Sequence, residues 1–459
     1  MSATASNDRH ARTLIHNVHI INEGRSWHGY VEIEGMYISG VGAGEPDRPH
    51  TDYNTVIDGN GRLLLPGVID THVHFRDPGL THKADMATES LAAVAGGVTS
   101  FIDMPNTKPP TVTIEEVERK MERASQVSPA NYAFFIGATD SNIHQLATAD
   151  YSRIAGVKLF MGSSTGNMLV DRDEALHRLF AEVPAIIAVH AEDESLLRQN
   201  REAVVARYGE DLPMEFHPVI RNHKVCFEAS RRAVELARRY GHRLHLLHIS
   251  TADELELLQP GNPAGKLITA ETCPQYLAFC DEQYAMLGTR IKCNPAIKRP
   301  ADRDALRQAV CTGLIDTIAT DHAPHLLEEK RGTALTAVSG MPLIQFSLTL
   351  MLQMAAEGLF TMPQVVEKMC HNPAIVYGIE RRGFIRPGYF ADLVIVNNDC
   401  EPYTITDQWA LSRCAWTPLS GLTVGNKVDA TIVNGTMTYR HGVAFSTPAG
   451  LPLAFTHNS

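Results

Sequence analysis

The chain has 459 residues, of which 44% are hydrophobic and 20% are charged, and its formal net charge is −11. This composition is typical of a folded protein of enzyme size and excludes a disordered chain. The negative charge and the lack of a basic run exclude a protein that binds nucleic acid mainly through its phosphates.

The chain begins with the polar segment MSATASNDRHARTL, which lacks the apolar core of a signal peptide. No apolar run approaches the roughly 18 residues that a membrane span needs. The eight cysteines form no CxxC pair, which favours reduced thiols. From these features we expect a cytoplasmic protein that does not bind membranes.

Short strands separated by turns are predicted at both ends of the chain. TLIHNVHII, YVEIEGMYISGVG and TVIDGNGRLLLP lie near the beginning, and ADLVIVN, ATIVNG and TMTYRHG lie near the end. We predict that residues 1–65 and 380–459 together form one small β-sandwich domain.

Between these ends, short apolar runs that finish in polar residues alternate with helical patterns. The runs include VTSFIDM, GVKLFMG, AIIAVHAED, RLHLLHIS, KLITAET and TIATD, and the helical patterns include DRDEALHRLF and VCFEASRRAVELARRY. This alternation predicts an α/β fold, a TIM-like (β/α)8 barrel over residues 66–379. In such a barrel the active site lies at the carboxyl ends of the strands.

The stretch DTHVHFRDPG places ligating and charged side chains directly after an apolar run. If the chain stays extended, Asp70, His72, His74 and Arg76 share one face. Two histidines held in this way can chelate one metal ion. Because HxH alone is a weak motif, a pair of structural core histidines explains it equally well.

Four further residues at strand ends converge on the same site if the barrel forms: Lys158, His190, His248 and Asp321. Imidazoles and a carboxylate together suit a divalent metal, usually zinc. A buried lysine loses its proton more easily, and the neutral amine can react with carbon dioxide to give a carbamate that bridges two metals. Pairing of Lys158 with Asp321 is the alternative, and the residues by themselves leave both open.

Four other histidines are predicted to be structural. His245 and His248 are three positions apart, so His245 should point toward the surrounding helices. His217, His223 and His242 lie in or beside loops and have no matching partner in the sequence.

These motifs resemble a known family. DTHVHFRDPG resembles the signature of dihydroorotases, which belong to the amidohydrolase superfamily. GVKLFMGSS, VHAED, LHIST and ATDHAPH resemble the later metal and catalytic strands of that superfamily, in the same order, and MPNT and the NP of KCNPAIK resemble further dihydroorotase positions. The resemblance extends from about residue 55 to about residue 395.

The resemblance implies two zinc ions per subunit, bridged by carboxylated Lys158 and by a hydroxide. His72, His74 and Asp321 would bind the more buried ion, and His190 and His248 would bind the other. Asp321 would also be the general acid/base. The substrate would be held by four further residues: Arg76, Asn106, Asn294 and His325.

The implied reaction is the reversible hydrolysis of L-dihydroorotate to N-carbamoyl-L-aspartate in de novo pyrimidine biosynthesis. The substrate carries a carboxylate, which the guanidinium of Arg76 can bind through two parallel hydrogen bonds. A salt bridge between Arg76 and Asp77 or another acid is the alternative. Family analogy further implies a homo-oligomer, expected to be a dimer. It leaves open whether the protein associates with aspartate transcarbamoylase.

Some segments depart from the dihydroorotase pattern. ETCPQYL is more similar to hydantoinases and allantoinases, and KCNPAIK and AVSGMP match the dihydroorotase segments only loosely. An allantoinase, or a cyclic amidase resembling hydantoinase and dihydropyrimidinase, is therefore the alternative function. A non-catalytic member of the superfamily would lack metal ligands, and this sequence retains the full set.

Overall fold

A computed structural model describes residues 11–162, 170 and 172–456 of the chain. The first ten residues, which belong to the polar segment that lacks the apolar core of a signal peptide, lie outside the described part. So do Ser163 and Ser164, the last two residues of the GVKLFMGSS motif.

The first five strands precede the barrel. In β2 buried residues alternate with more exposed ones, as in strands with one covered face, whereas all four residues of β5 are buried. Their bounds are β1 Arg12–Asn22, β2 Arg25–Glu34, β3 Tyr37–Ala43, β4 Thr55–Asp58 and β5 Leu63–Pro66.

The next nine strands form the barrel, with all their pairings parallel. Because β8 and β9 are two parts of one barrel strand, the described residues form a barrel of eight strands. A parallel bridge between Val73 of β6 and His322, which follows β14, closes the barrel. The bounds are β6 Val68–Val73, β7 Val98–Asp103, β8 Asn131–Phe134, β9 Ile136–Gly137, β10 Val157–Met161, β11 Ile187–Ala191, β12 Leu244–Leu246, β13 Ile268–Thr272 and β14 Thr317–Ile318.

The last six strands return to the first five. They are β15 Leu393–Asn397, β16 Tyr403–Thr404, β17 Thr423–Val424, β18 Lys427–Val433, β19 Thr436–Arg440 and β20 Val443–Ala444. Nine strands share one sheet in the order β20-β19-β18-β15-β5-β1-β2-β3, with β4 beside β1, while β16 pairs with β17. The predicted barrel with a β-rich domain built from both ends is confirmed.

Helices connect and surround the barrel strands. Several begin with side-chain caps, such as the Asp85 carboxylate that accepts from the Thr88 amide at 2.8 Å. Their bounds are α1 Met86–Ala95, α2 Ile114–Val127, α3 Ile143–Thr148, α4 Asp173–Glu182, α5 Glu194–Tyr208, α6 His217–Ile220, α7 His223–Tyr240, α8 Pro274–Ala278, α9 Tyr284–Leu287, α10 Pro300–Thr312, α11 Ser347–Ala356, α12 Met362–Val366 and α13 Asn372–Tyr377. None of the described helices is both long and apolar enough to span a membrane.

The last described residues run along the barrel, although the sequence analysis grouped residues 380–459 with the small domain. Pro452 forms a bridge to Tyr132 of β8, and Leu453 and Phe455 are buried in a cluster with Phe135 and Tyr377. Burial of these two apolar side chains favours that path over exposure at the sheet edge.

Candidate metal and substrate site

One cavity of about 360 Å³ lies at the carboxyl ends of the barrel strands. Its lining includes all ten of the predicted site residues: His72, His74, Arg76, Asn106, Lys158, His190, His248, Asn294, Asp321 and His325. The structure therefore brings together side chains that are up to 253 positions apart in the chain, from His72 to His325.

The first strand reaches this cavity by a different path from the extended run that the sequence predicted. The pairing of β6 with β7 shifts in register between Asp70 and Val73, and Arg76 has a φ of 65°. Asp70 consequently does not line the cavity, so the predicted common face is wrong for this residue. Its carboxylate instead accepts hydrogen bonds from the Thr320 hydroxyl at 2.6 Å and the Thr320 amide at 3.1 Å.

The first candidate metal group consists of His72, His74 and Asp321. The Nε2 atoms of the two histidines lie 3.3 and 2.9 Å from Asp321 Oδ1. The Nδ1 atoms of both rings contact other residues. His72 Nδ1 lies 2.8 Å from Glu271, and His74 Nδ1 lies 2.6 Å from Asn106. Such outer contacts orient imidazoles, and they leave both Nε2 atoms available to one cation.

The protonation states of this group suit a divalent metal. Burial lowers the pKa of His74 to about 4, which leaves the imidazole neutral at pH 7. Burial opposes ionisation of Asp321, but the neighbouring His72, His74 and His248 lower the pKa of that carboxyl well below its usual range. Neutral imidazoles and an ionised carboxylate are the forms that bind zinc.

The second candidate group consists of His190 and His248. His190 Nδ1 lies 2.8 Å from His248 Nε2, so the two rings converge on one point of the cavity. The other ring nitrogen of His190 lies 3.1 Å from Glu192, which in turn pairs with Arg221. Two nitrogens on one tetrahedral zinc stand roughly 3.3 Å apart, so this pair needs only a small opening to bind an ion.

Lys158 lines the same cavity as the two groups and is 1% exposed. Burial lowers its pKa to about 7, with Asp321 and Glu271 opposing the shift. In the described part of the chain its Nζ has no hydrogen bond or ion pair, and the Phe160 ring centroid lies 4.7 Å away. The pairing with Asp321 that the sequence left open does not form, and the amine is available for carbamate formation.

The other side of the cavity carries the candidate substrate contacts. Arg76 is 6% exposed, donates from Nε to the Pro324 carbonyl at 3.2 Å, and has Nη2 at 3.0 Å from His325 Nε2. Its alternative partner Asp77 instead pairs with Arg123 at 3.3 Å. Arg76 has no carboxylate partner within the described residues, so the cavity contains a buried cation without a counter-ion.

Asn294 is a further candidate substrate contact in the cavity. Its Oδ1 is buried and has no hydrogen-bond partner among the described residues. A buried polar atom without a partner costs free energy unless a ligand or water satisfies it. Asn294 therefore fits a ligand with N–H groups.

Sequence reasoning missed Glu271 and Lys83, whereas the cavity-lining segment 338–340 belongs to AVSGMP, which loosely resembles the dihydroorotase loop that covers the substrate. Glu271 is completely buried and contacts His72, and the only signal for it was a carboxylate within the apolar run KLITAET. Gly340 has a φ of 137°, and a Cβ there would lie 2.5 Å from the Ala323 carbonyl oxygen. Only glycine allows this close approach of the backbone.

The orientation predicted for His245 is wrong. Leu244 and Leu246 pack in the cluster shared with the helices, so His245 faces the barrel interior, below the cavity. Its Nδ1 lies 2.8 Å from the Thr269 hydroxyl and its Nε2 lies 3.8 Å from Glu271. The backbone bend at His248, with a φ of 41°, breaks the alternation that the prediction assumed.

The other three histidines interpreted as structural lie outside the cavity lining. His217 contacts the Cys293 carbonyl at 2.9 Å, and His242 contacts the Val183 carbonyl at 2.8 Å. His223 lies 2.8 Å from an Asp302 carboxylate oxygen.

Comparison with known proteins gives a consistent result. Residues 63–438 match the sequence profile of the amidohydrolase family. The chain is 34% identical to a dihydroorotase of Halobacterium salinarum, over 89% of this chain and 93% of that protein. It is 32% identical to an allantoinase of Streptomyces avermitilis, over 84% of this chain and 86% of that protein. A solved L-hydantoinase (dihydropyrimidinase) from Arthrobacter aurescens has a TM-score of 0.90 at 26% identity, covering 96% of this chain and 99% of that chain.

Proposed function

Because the chain belongs to the amidohydrolase family, we propose that it is a cyclic amide hydrolase that acts as a dihydroorotase in pyrimidine biosynthesis. It would interconvert L-dihydroorotate and N-carbamoyl-L-aspartate. The family match and the complete set of candidate ligands support the hydrolase, and the chemistry of the cavity supports this substrate.

The substrate assignment rests mainly on the buried guanidinium of Arg76, which has no carboxylate partner in the described part of the chain. A buried charge is costly unless it is paired. The carboxylate of dihydroorotate would supply the missing counter-ion through charge-assisted hydrogen bonds. Allantoin and dihydrouracil are neutral rings and cannot do so.

Zinc is the metal we propose, with two ions per subunit. One ion would be held by His72, His74 and Asp321, and the other by His190 and His248. Carboxylated Lys158 would help to hold both ions. Bound zinc supplies a water of lowered pKa and a Lewis acid for the scissile carbonyl.

The residues around the metal groups have roles of their own. Asp321, ionised at neutral pH, would accept the proton of the attacking water and return it to the departing ring nitrogen. Asn294 Oδ1 would accept from a ring N–H, and Arg76, Asn106 and His325 would hold the carboxylate end.

We further propose that the enzyme works in the cytoplasm as a homodimer on a small-molecule substrate. The acidic composition that disfavours nucleic acid supports this choice of partner.

Hydrolysis of a neutral ring is the second candidate. The allantoinase of Streptomyces avermitilis matches this chain almost as well as the dihydroorotase does, and the L-hydantoinase shares its fold. The metal groups would serve either substrate, so only the contacts beyond them discriminate.

The deciding experiment is turnover by purified, zinc-loaded protein on dihydroorotate, allantoin and dihydrouracil side by side. We expect kcat/KM for dihydroorotate to exceed the other two values by at least a hundredfold. If the protein prefers a neutral ring, the assignment as a cyclic amide hydrolase stands and the assignment as a dihydroorotase is refuted.

The Arg76→Met variant tests the role of the guanidinium. We expect kcat/KM for dihydroorotate to fall by at least a hundredfold, about 2.7 kcal/mol, because a charge-assisted pair is lost. Arg123→Met is the matched control, since Arg123 pairs with Asp77 outside the cavity and should leave kcat/KM within twofold. A similar loss on any slow neutral substrate would contradict carboxylate recognition by Arg76.

A further inference from the structure

A second group of metal-ligating side chains lies in the β-rich domain, away from the catalytic cavity. It consists of His16 on β1 and of Glu45 and His50 on the connection between β3 and β4. None of the three lines the cavity described above. An inference about them is therefore independent of the proposed function.

The donor atoms of this group already converge. Glu45 Oε2 lies 3.5 Å from His16 Nδ1 and 3.5 Å from His50 Nε2, and all three donor atoms lie within 4.8 Å of one another. Ligand atoms around a tetrahedral zinc are separated by roughly 3.3 Å. Both Glu45 distances already lie close to that value, and the exposed side chains of Glu45 and His50 can adjust to complete the geometry.

One of these donors lacks a hydrogen-bond partner. His16 Nδ1 is shielded from solvent and accepts or donates no hydrogen bond among the described residues. His16 lies where the register of β1 against β2 shifts between Ile15 and Val18, next to Asn17 with a φ of 51°. Bulges of this kind reorient side chains, and a buried nitrogen without a partner is explained by an ion or water at the site.

The connection that carries the other two ligands is held against β1. Asn54 accepts from the Arg12 amide through Oδ1 at 2.7 Å and donates its own amide to the Arg12 carbonyl at 2.9 Å. The turn His50–Asp52 immediately precedes this anchor. The backbone therefore limits how far His50 can move from His16.

Charge and ring geometry favour a cation at this position. The His16 and His50 rings are 4.4 Å apart at 62°, so their nitrogens can point to one centre rather than stack. Asp58 is paired with His16 in the register of β1 against β4 and adds a second carboxylate near His16. Two imidazoles and one carboxylate suit zinc, nickel or copper better than magnesium or calcium.

We propose that His16, Glu45 and His50 bind one divalent transition-metal ion of the zinc class, with water as the remaining ligand. The ion joins the connection between β3 and β4 to strand β1. It is additional to the metal ions of the catalytic cavity.

The test compares the zinc content of the full chain with that of His50→Asn and Glu45→Gln variants. Both replaced side chains are largely exposed, so both variants should fold. After removal of metal and equilibration with buffered Zn²⁺, we expect the wild type to retain one more zinc per chain than either variant. Turnover should be the same in all three.

His28→Asn is the matched control, because His28 stacks on His19 in the same domain and belongs to no candidate group. It should retain the wild-type zinc content. Equal zinc content in the wild type and the His50→Asn variant would overturn the proposal, and so would an equal loss in the His28→Asn control.

A second readout follows the connection itself. Zn²⁺ should slow proteolysis within residues 44–54 at least tenfold in the wild type and not in His50→Asn. Cleavage that Zn²⁺ leaves unchanged in the wild type would also overturn the proposed site.

Discussion

Individual residues of the cavity have their protonation shifted by burial and by their neighbours. Burial takes the pKa of Lys158 to about 7 and that of His74 to about 4, while imidazoles keep Asp321 ionised. Perturbed groups gathered in one cleft are typical of a catalytic site. The family match makes this interpretation specific, because each perturbed group stands where a motif predicted it.

Lys158 gives a prediction on stability and pH in metal-free, carbon-dioxide-free protein. Its folded pKa of about 7 lies below its unfolded value, so the unfolded chain binds more protons between pH 7 and about 10.5. Wild-type stability should therefore rise with pH in that window, and below pH 7 the buried lysine should cost up to about 5 kcal/mol. Lys158→Met should be more stable than the wild type at pH 7, and the difference should vanish near pH 10.

Urea unfolding at pH 7, 8.5 and 10 measures this difference. His74→Gln is the control variant. The pKa of His74 lies far below this pH window, so the difference in unfolding free energy between His74→Gln and the wild type should not change with pH there. A constant difference for Lys158→Met across the window would contradict the shifted pKa.

At the scale of elements, the segment after β14 closes one side of the cavity. Lys330 is 1% exposed and donates to the carbonyls of Lys292, Val338 and Gly340 at 2.9, 3.0 and 2.8 Å. Val338, Ser339 and Gly340 line the cavity. One ammonium group thus holds the backbone of a segment that faces the substrate.

Lys330→Met should raise KM at least tenfold with a smaller change in kcat and with unchanged metal content. The reason is that three carbonyls lose the hydrogen bond from the Lys330 ammonium and the segment 338–340 moves, whereas the metal groups are untouched. Steady-state kinetics and zinc analysis measure both. Lys368→Met, which removes another buried lysine that does not line the cavity, should leave KM unchanged. A parallel loss of metal in Lys330→Met would refute a role confined to this segment.

At the scale of the whole molecule, a buried polar network joins the barrel to the nine-stranded sheet. Asp392, just before β15, pairs with Arg382 and accepts from Asn131 of β8 at 3.1 Å and from the Asn434 amide at 2.8 Å. Asn434 also donates to Asn131 at 2.7 Å. The network thereby holds barrel strand β8 beside the nine-stranded sheet.

Asp392→Ala should destabilise the protein by about 3–5 kcal/mol, because it leaves the Arg382 cation buried and unpaired. Thermal or urea unfolding measures the loss. Asp429→Ala removes a more exposed ion pair with Arg62 in the same sheet and should cost about 1 kcal/mol or less. Equal losses in the two variants would contradict the importance of the network.

Much of this site was predictable because its residues lie in or directly after short buried strands. Polar residues in apolar runs that alternate with helical patterns are typical of the carboxyl-end face of a parallel barrel, which is why His190, Lys158 and Asp321 could be placed together. The prediction was wrong where the backbone leaves the extended conformation, at Asp70 and His245. The alternation of side chains along an extended strand predicts neither a register shift, as after Asp70, nor a residue with a positive φ, as at His248.

The sequence by itself determined the alternation of strands and helices, the inserted barrel, the family and the set of candidate ligands, because these depend on local patterns and motifs. Only the tertiary structure decided that Glu271 orients His72 and that, among the described residues, Arg76 has no carboxylate partner and Lys158 has no hydrogen-bond or ion-pair partner. These properties depend on burial and on contacts between residues some 200 positions apart, which no local pattern encodes.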